Sequence, residues 1–294
     1  MDLSIIIISY NTKKLISKTI DSVIKSLKQS TIKYEILVLD NNSKDGSAKV
    51  IKEKYAKHVR LIESGINLGF GRGNNLLVKK AKGKCLLFLN SDIETLSNSI
   101  EKLYLYYTRT NLHFAFIGPK LFNTNLTVQP SAAPFYSLIV AVAALFLKAD
   151  YWGLTRYSPN KIKQVDWVSG ACFICDKEVF NKNKGFDEKI FMYAEELDLF
   201  YRAREKGYLV GFYPDAHFIH IGSASSGNRK EPIINVFKSY LYFYSKHHSK
   251  LANFSLRLLL AIKALVGYTL GRITNNQYLI KTYAEALKMV YTFN

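Results

Sequence analysis

The sequence predicts an α/β fold with a parallel sheet at its centre, and three observations carry that expectation. Short apolar, β-branched runs alternate with helical periodicity over the first hundred residues. The runs are nearly continuous, as in strands buried on both faces. Each of the first four strands leads into Asn, Asp or Ser, so polar chemistry gathers beyond the carboxyl edge, where ligands bind in such sheets.

Leu3–Ser9 is the first strand, and Leu15, Ile16, Ile20, Val23, Ile24 and Leu27 give residues 15–27 helical spacing. Strands follow at 34–39, Val59–Glu63 and 85–89, and helices at Ser47–Tyr55 and 74–81. The polar sets are Ser9-Tyr10-Asn11, Asp40-Asn41-Asn42-Ser43, Asn67-Leu68-Gly69-Phe70-Gly71 and Asn90-Ser91-Asp92. Turn and cap preference alone would favour these residues at any one strand end, but less readily at four in succession. Further on, 165–174 and the pair 208–213 and 217–221 read as strands, with a short helix at 176–180. From about Val236 the pattern is helical to the end.

A chain of 294 residues suffices for one large α/β domain, alone or with a helical appendage. Its 41 basic and 23 acidic residues give a net charge of +18. That suits a polyanion, a phosphorylated small molecule or an anionic membrane face. Three cysteines argue against a disulfide scaffold. Cys172 and Cys175 have CxxC spacing, but within a strand they point to opposite faces, against a shared metal. Asp2 directly after Met1 and the short run 5–8 lack a secretory leader pattern, so a cytoplasmic chain is expected. Residues 137–147 are too few to span a bilayer, and Arg257 and Lys263 interrupt the apolar run 256–270.

The densest chemistry lies in residues 191–202. Leu199, Phe200 and Ala203 form an apolar helical arc with Glu196 in its middle, while Glu195, Asp198, Arg202, Glu205 and Lys206 take the polar side. A carboxylate on a buried face needs a partner or a task, and burial raises its proton affinity, as a general base requires. Bonding to the helix N-terminal amides is the structural alternative. Asp198 stands four residues before Arg202, the spacing of an ion pair. Asp92 ends an apolar strand and suits a hard divalent cation. His220, closing 217–220 ahead of the flexible-looking Gly222-Ser223-Ala224-Ser225, is the second candidate ligand. Residues 69–75, between a strand and a helix, could cradle phosphate, although Asn74 occupies the third glycine position of GxGxxG.

Taken in order, Ile5–Asn11, Val38–Gly46, Asn67–Phe70 with Gly73-Asn74-Asn75, Leu89–Asp92, Trp167–Ala171, Gly185–Glu188, Phe191–Tyr193 with Glu195–Leu199, and His220 resemble family-2 glycosyltransferases of the GT-A fold, nearest the rhamnosyltransferase-like branch. The resemblance implies a Rossmann-like mixed sheet flanked by helices, with a C-terminal helical appendage. It implies inverting transfer of a hexosyl or deoxyhexosyl unit from a UDP-, dTDP- or GDP-linked sugar to a saccharide or lipid-linked saccharide, in cell-surface polysaccharide assembly. By the same resemblance Ser9, Asn11, Asp40, Asn42, Asn67, Gly69 and Asn74 surround the nucleoside. Ser91 and Asp92 occupy the DxD position, with Asn90 replacing its first acid. Asp92 and His220 would hold Mg²⁺ or Mn²⁺, and Glu196 would be the base, with Glu195 as runner-up.

The expected division is a catalytic domain over 1–235 and a helical segment over 236–294. In that segment Lys246, Lys250, Asn253 and Arg257 form a polar stripe, and residues 237–294 carry eight basic side chains and one acidic. Two readings stand: a helix lying on the anionic inner face of a membrane, and a helix packed on the catalytic domain. The rival functions are a catalytically inactive sugar-nucleotide or glycan-binding module and an NAD-type dinucleotide protein. Nucleic acid is not an expected partner, because the basic residues follow no recognised motif.

Overall fold

The computed structural model describes residues 1–110, 112–147, 149–222 and 230–293. The first half alternates as expected: β1 (Leu3–Ser9), α1 (Lys13–Leu27), β2 (Tyr34–Asp40), α2 (Ser47–Tyr55), β3 (Val59–Glu63), α3 (Phe70–Lys80) and β4 (Cys85–Asn90). Then come β5 (Ile93–Thr95), α4 (Ser99–Arg109), β6 (Phe114–Phe122), β7 (Val128–Gln129), β8 (Ala132–Ala133) and α5 (Leu138–Phe146). The second half contains β9 (Lys163–Val165), β10 (Trp167–Val168), β11 (Cys172–Asp176), α6 (Lys177–Lys182), α7 (Glu195–Glu205) and β12 (Leu209–His220). Three helices follow: α8 (Lys230–His247), α9 (Lys250–Ile273) and α10 (Gln277–Thr292).

The main sheet has the order β3-β2-β1-β4-β11-β6-β12-β5. Strands β3, β2, β1 and β4 run parallel, β11 is inserted antiparallel between β4 and β6, and β12 runs parallel to β6. It is therefore a mixed sheet. Ser9 pairs opposite Asp40 and Ile8 opposite Asn90, which aligns the three polar strand ends along one edge. Ile5 and Ile7 of β1 join a core with α1, α2 and α4, whereas Ile6 joins the opposite core with α3, α6, α7 and the C-terminal helices. Alternation along buried strands thus feeds two helical layers at once. Cys172 and Cys175 fall in these two different cores, and all three cysteines are free thiols.

Several expectations are corrected. Helix α3 begins at Phe70, not 74, so Gly71 and Gly73 lie in its first turn rather than in a phosphate-cradling loop. A Cβ at Gly73 would stand 3.0 Å from Leu39 and 3.1 Å from Ile8, so its glycine lets the helix lie close to the sheet. The run 165–174 is broken at Asp166 and at Ser169–Ala171, and the expected pair 208–213 and 217–221 forms the single strand Leu209–His220 with a register shift between Tyr213 and His217.

The C-terminal helices are not a detached appendage. Helix α8 starts at Lys230, so 235/236 falls inside it, and Phe237, Leu241, Phe243 and Tyr244 are buried in the catalytic core. Its arrival also covers the first half of the supposed polar side of α7, while Glu205 and Lys206 stay exposed. Asp198 is fully buried, accepting from Arg202 Nε at 2.7 Å, Lys246 Nζ at 2.7 Å and His247 Nε2 at 2.7 Å. The expected Asp198–Arg202 pair is present, and the other two partners come from α8. The basic stripe is therefore not free: Lys246 also binds Asp187, and Arg257 donates to the carbonyls of Val290 and Phe293.

Candidate active site

The strand ends, the N-terminus of α7 and α8 enclose a cavity of about 900 Å³. Its wall includes Tyr10, Thr12, Asn41, Asn67, Gly69, Ser91, Asp92, Arg156, Gly170, Glu195, Glu196, His220 and Tyr240. Of the expected site residues, Asn67, Gly69, Ser91, Asp92, Glu196 and His220 converge here. Of the others, Ser9, Asp40 and Asn74 are buried and do not line it, and neither do the exposed Asn11 and the half-buried Asn42.

The nucleoside-side loops hold one another. Ser9 Oγ meets Thr12 Oγ1 at 3.0 Å, and Thr12 Oγ1 donates to Ser91 Oγ at 3.1 Å. Asn11 and Asn42 both have positive φ, at 53° and 68°, and their side-chain carbonyls accept from Lys44 N and Lys44 Nζ respectively. Asn74 donates to the Phe70 carbonyl inside α3. Asp40 Oδ1 accepts from Ser43 N at 2.9 Å, while its buried Oδ2 has no partner, an orphan acceptor at the sheet edge. Asn41, not singled out from the sequence, reaches the cavity instead of its neighbours. Its Nδ2 donates to Asn67 Oδ1 at 2.8 Å, and its Oδ1 accepts from Leu68 N. Gly69 has φ +77°, and a Cβ there would lie 2.5 Å from the Phe191 carbonyl, so only glycine fits where this loop touches the approach to α7.

Asp92 and His220 are brought together by the short strand β5, which follows Asp92 and pairs antiparallel with the end of β12, His220 opposite Ile93. His220 Nε2 lies 3.4 Å from Asp92 Oδ1. Gln129 donates through Nε2 to Asn123 Oδ1 at 2.9 Å and to the His220 carbonyl at 3.3 Å, which turns its Oε1 toward His220 Nδ1 at 2.8 Å. This assigned amide orientation makes Nδ1 the donor. In a neutral imidazole the Nε2 lone pair then faces a carboxylate oxygen, an arrangement relieved by a cation between them or by a second proton. Among the described residues no group of three or more His, Cys, Asp or Glu gathers as a metal cluster, so this pair would need oxygens of a bound ligand to complete a coordination shell. Of the loop after His220, residues 223–229 lie outside those described.

Helix α7 starts from Tyr193 and Ala194, both in left-handed backbone at φ 69° and 64°, and it has no side-chain cap. This kink directs Glu196 into the cavity against Gly170, whose hypothetical Cβ would lie 3.4 Å from the carboxyl carbon. Burial raises the pKa of Glu196, opposed by backbone amides, including those of Gly170 and Leu197, and by the Arg156 guanidinium. Glu195 is buried, its Oε2 has no partner, and burial together with the Glu196 charge drives its pKa well up. Of the two, Glu196 is the better proton acceptor, and Glu195 is held as the neutral acid. Arg156 and Gln129 are the residues sequence reasoning missed. Gln129 ends the two-residue strand β7 and Arg156 lies in an irregular stretch, so periodicity carried no signal for either.

A mixed sheet with nucleotide-sized space at its carboxyl edge, an acid–imidazole pair and a buried carboxylate at a helix start defines a GT-A glycosyltransferase. The chain belongs to glycosyl transferase family 2, whose profile matches residues 4–184. It is 29% identical over 236 residues to the N-acetylglucosaminyl-diphospho-decaprenol L-rhamnosyltransferase of Mycobacterium tuberculosis, covering 73% of this chain and 75% of that one. It is 30% identical over 189 residues to the UDP-Glc:alpha-D-GlcNAc-diphosphoundecaprenol beta-1,3-glucosyltransferase WfgD of Escherichia coli, covering 62% and 74%. The crystal structure of GalNAc-T7 with UDP, GalNAc and Mn²⁺ shares the fold with a TM-score of 0.65 at 15% identity, over 100% of this chain and 56% of that one.

Proposed function

We propose that the chain transfers a hexosyl or deoxyhexosyl unit, with inversion, from a nucleoside-diphosphate sugar to a hydroxyl of a lipid-linked saccharide at the cytoplasmic face of a membrane. The observation that carries the reading is the Glu196 carboxylate facing the same cavity as the Asp92–His220 pair. The polyprenyl-diphosphate acceptors in the names of the two relatives support the acceptor class. UDP-, dTDP- and GDP-linked donors all suit the polar strand ends, where Asn41 and Asn67 line the cavity.

Asp92 and His220 would hold Mg²⁺ or Mn²⁺, with the donor's phosphate oxygens completing the shell. The cation would supply charge neutralisation for the departing diphosphate. The acceptor oxygen forms its bond to the anomeric carbon as the bond from that carbon to the phosphate oxygen breaks. Glu196 takes the hydroxyl proton, and the nucleoside diphosphate leaves with the bonding pair. One displacement from the opposite face inverts the anomer, and no sugar is carried on the protein. Glu195, neutral beside Glu196, is suited to donate a hydrogen bond rather than to accept the proton.

Glu196→Gln tests the assignment. The variant is expected to bind a nucleotide sugar with the thermal shift of the unaltered chain but to turn over about 10²–10⁴-fold more slowly, the typical contribution of a positioned base. Full turnover by this variant would overturn the role.

A further inference from the structure

We infer that the outward face of α9, together with α5 and the turn after it, is a surface that lies in the plane of an anionic lipid bilayer. Helix α9 has two faces of opposite use. Leu256, Leu260, Ala264, Gly267 and Gly271 are buried against its neighbours, and a Cβ at Gly267 would collide with the Tyr283 ring, so α10 is packed as closely as two helices allow. On the other side Leu251, Phe254, Leu258, Ile262, Leu265 and Ile273 are between 43% and 78% exposed, and with the exposed Val266 and Leu270 they cover an arc of about 160° at 3.6 residues per turn. A soluble helix presents its polar residues there.

The apolar face extends past one helix. Helix α5 packs on α9, with Lys263 Nζ donating to the Leu145 carbonyl at 2.6 Å. Beside this contact Ile139, Leu147, Trp152 and Leu154 are exposed, Trp152 by 77%. Such a contiguous patch marks an interaction surface.

Charge selects the occupant. Residues 250–293 carry six basic side chains and one acidic, Glu285 on α10, and α9 itself has no acid. At helical spacing Lys250 and Arg272 fall on one border of the apolar arc, where snorkelling side chains meet headgroups, while Arg257 and Lys263, bonded to backbone carbonyls, add fixed positive charge along its two borders. A protein partner would need an acidic rim; anionic lipid supplies one everywhere. The 24-residue helix is long and apolar enough to cross a membrane, and little of its most apolar part is buried. Its length would allow crossing, but the face packed on α10 fixes it lengthwise along the protein, so it lies in the interface instead. Helices α8 and α10, on which α9 rests, contribute Tyr240 and Glu285 to the cavity wall.

The test uses the full chain and vesicles of phosphatidylcholine with or without one third phosphatidylglycerol. The unaltered chain is expected to sediment with the anionic vesicles, with a blue shift from exposed Trp152, since Trp167 is already buried. Leu258→Asp with Leu265→Asp should reduce partitioning on the order of ten-fold, while Leu126→Asp, on the β6–β7 turn, should not. Ile273→Asp, at the end of α9, is the second variant should the pair fold poorly. Recovery of the unaltered chain in the supernatant with anionic vesicles overturns the inference. So does equal binding by folded α9 variants, or a lipid-free dimer that these variants split. The surface rests on the helices and not on the proposed reaction, so Glu196→Gln should bind vesicles normally, and failure of either reading leaves the other standing.

Discussion

At Glu196, burial that raises the pKa has a kinetic signature. A base must be ionised to work, so activity should rise with pH through this raised pKa and fall below it. The acid limb of kcat/KM is expected above the ordinary glutamate value of about 4.3. Arg156→Met removes a cation that lowers the pKa and should move the limb further up; a limb that stays in place would remove Arg156 from the account. At His220 the decisive neighbour is Gln129. Gln129→Leu deletes the acceptor that keeps the proton on Nδ1 and is expected to weaken Mn²⁺ affinity by about 10–100-fold, read by calorimetry without any turnover. Unchanged affinity would count against metal binding at this pair.

At the scale of elements, α7 is held by α8 through one buried carboxylate. Burial alone would raise the pKa of Asp198, but His247, Arg202 and Lys246 hold it down at about 2. The unfolded chain has an ordinary aspartate near 3.9, so it takes up the proton first as pH falls. The stabilisation, about 2.5 kcal/mol for that difference, is complete above the unfolded pKa and is lost as pH drops toward 2. Thermal unfolding between pH 5 and 2 should follow this slope about as far as the fold survives, and Asp198→Asn should lower stability at neutral pH and flatten the slope. An unaltered slope would place the acid sensitivity elsewhere. The burial of Asp198 could not be read from the sequence. Its i,i+4 spacing to Arg202 was plain, but Lys246 and His247 are almost fifty residues away.

For the whole molecule, the structure argues for one cooperative unit in place of separate segments 1–235 and 236–294. Phe237, Leu241, Phe243 and Tyr244 complete a core begun by Phe116, Phe173 and Phe200. Four such side chains contribute about 6–12 kcal/mol of burial, comparable with the whole stability of a domain. Truncation after residue 235 should therefore abolish the cooperative transition in calorimetry, whereas the full chain should show one. A truncated chain that melts cooperatively near the parent temperature would restore the two-part division.

The first four strands, α1, α2, the acidic start of α7 and the polar sheet edge were legible because each is written in local periodicity and strand-end chemistry. Glu196 could be singled out because a carboxylate interrupts an apolar arc. The antiparallel insertion of β11, the pairing of β5 with β12 that sets His220 beside Asp92, and the substitution of Asn41 for its neighbours in the cavity wall were decided only in three dimensions. Each depends on contacts between distant residues, whose energies leave no period in the chain. The C-terminal helices follow the same division. Composition announced basic, apolar helices, but which face is buried and which is left to solvent was settled by the packing of α10 and α8 on α9.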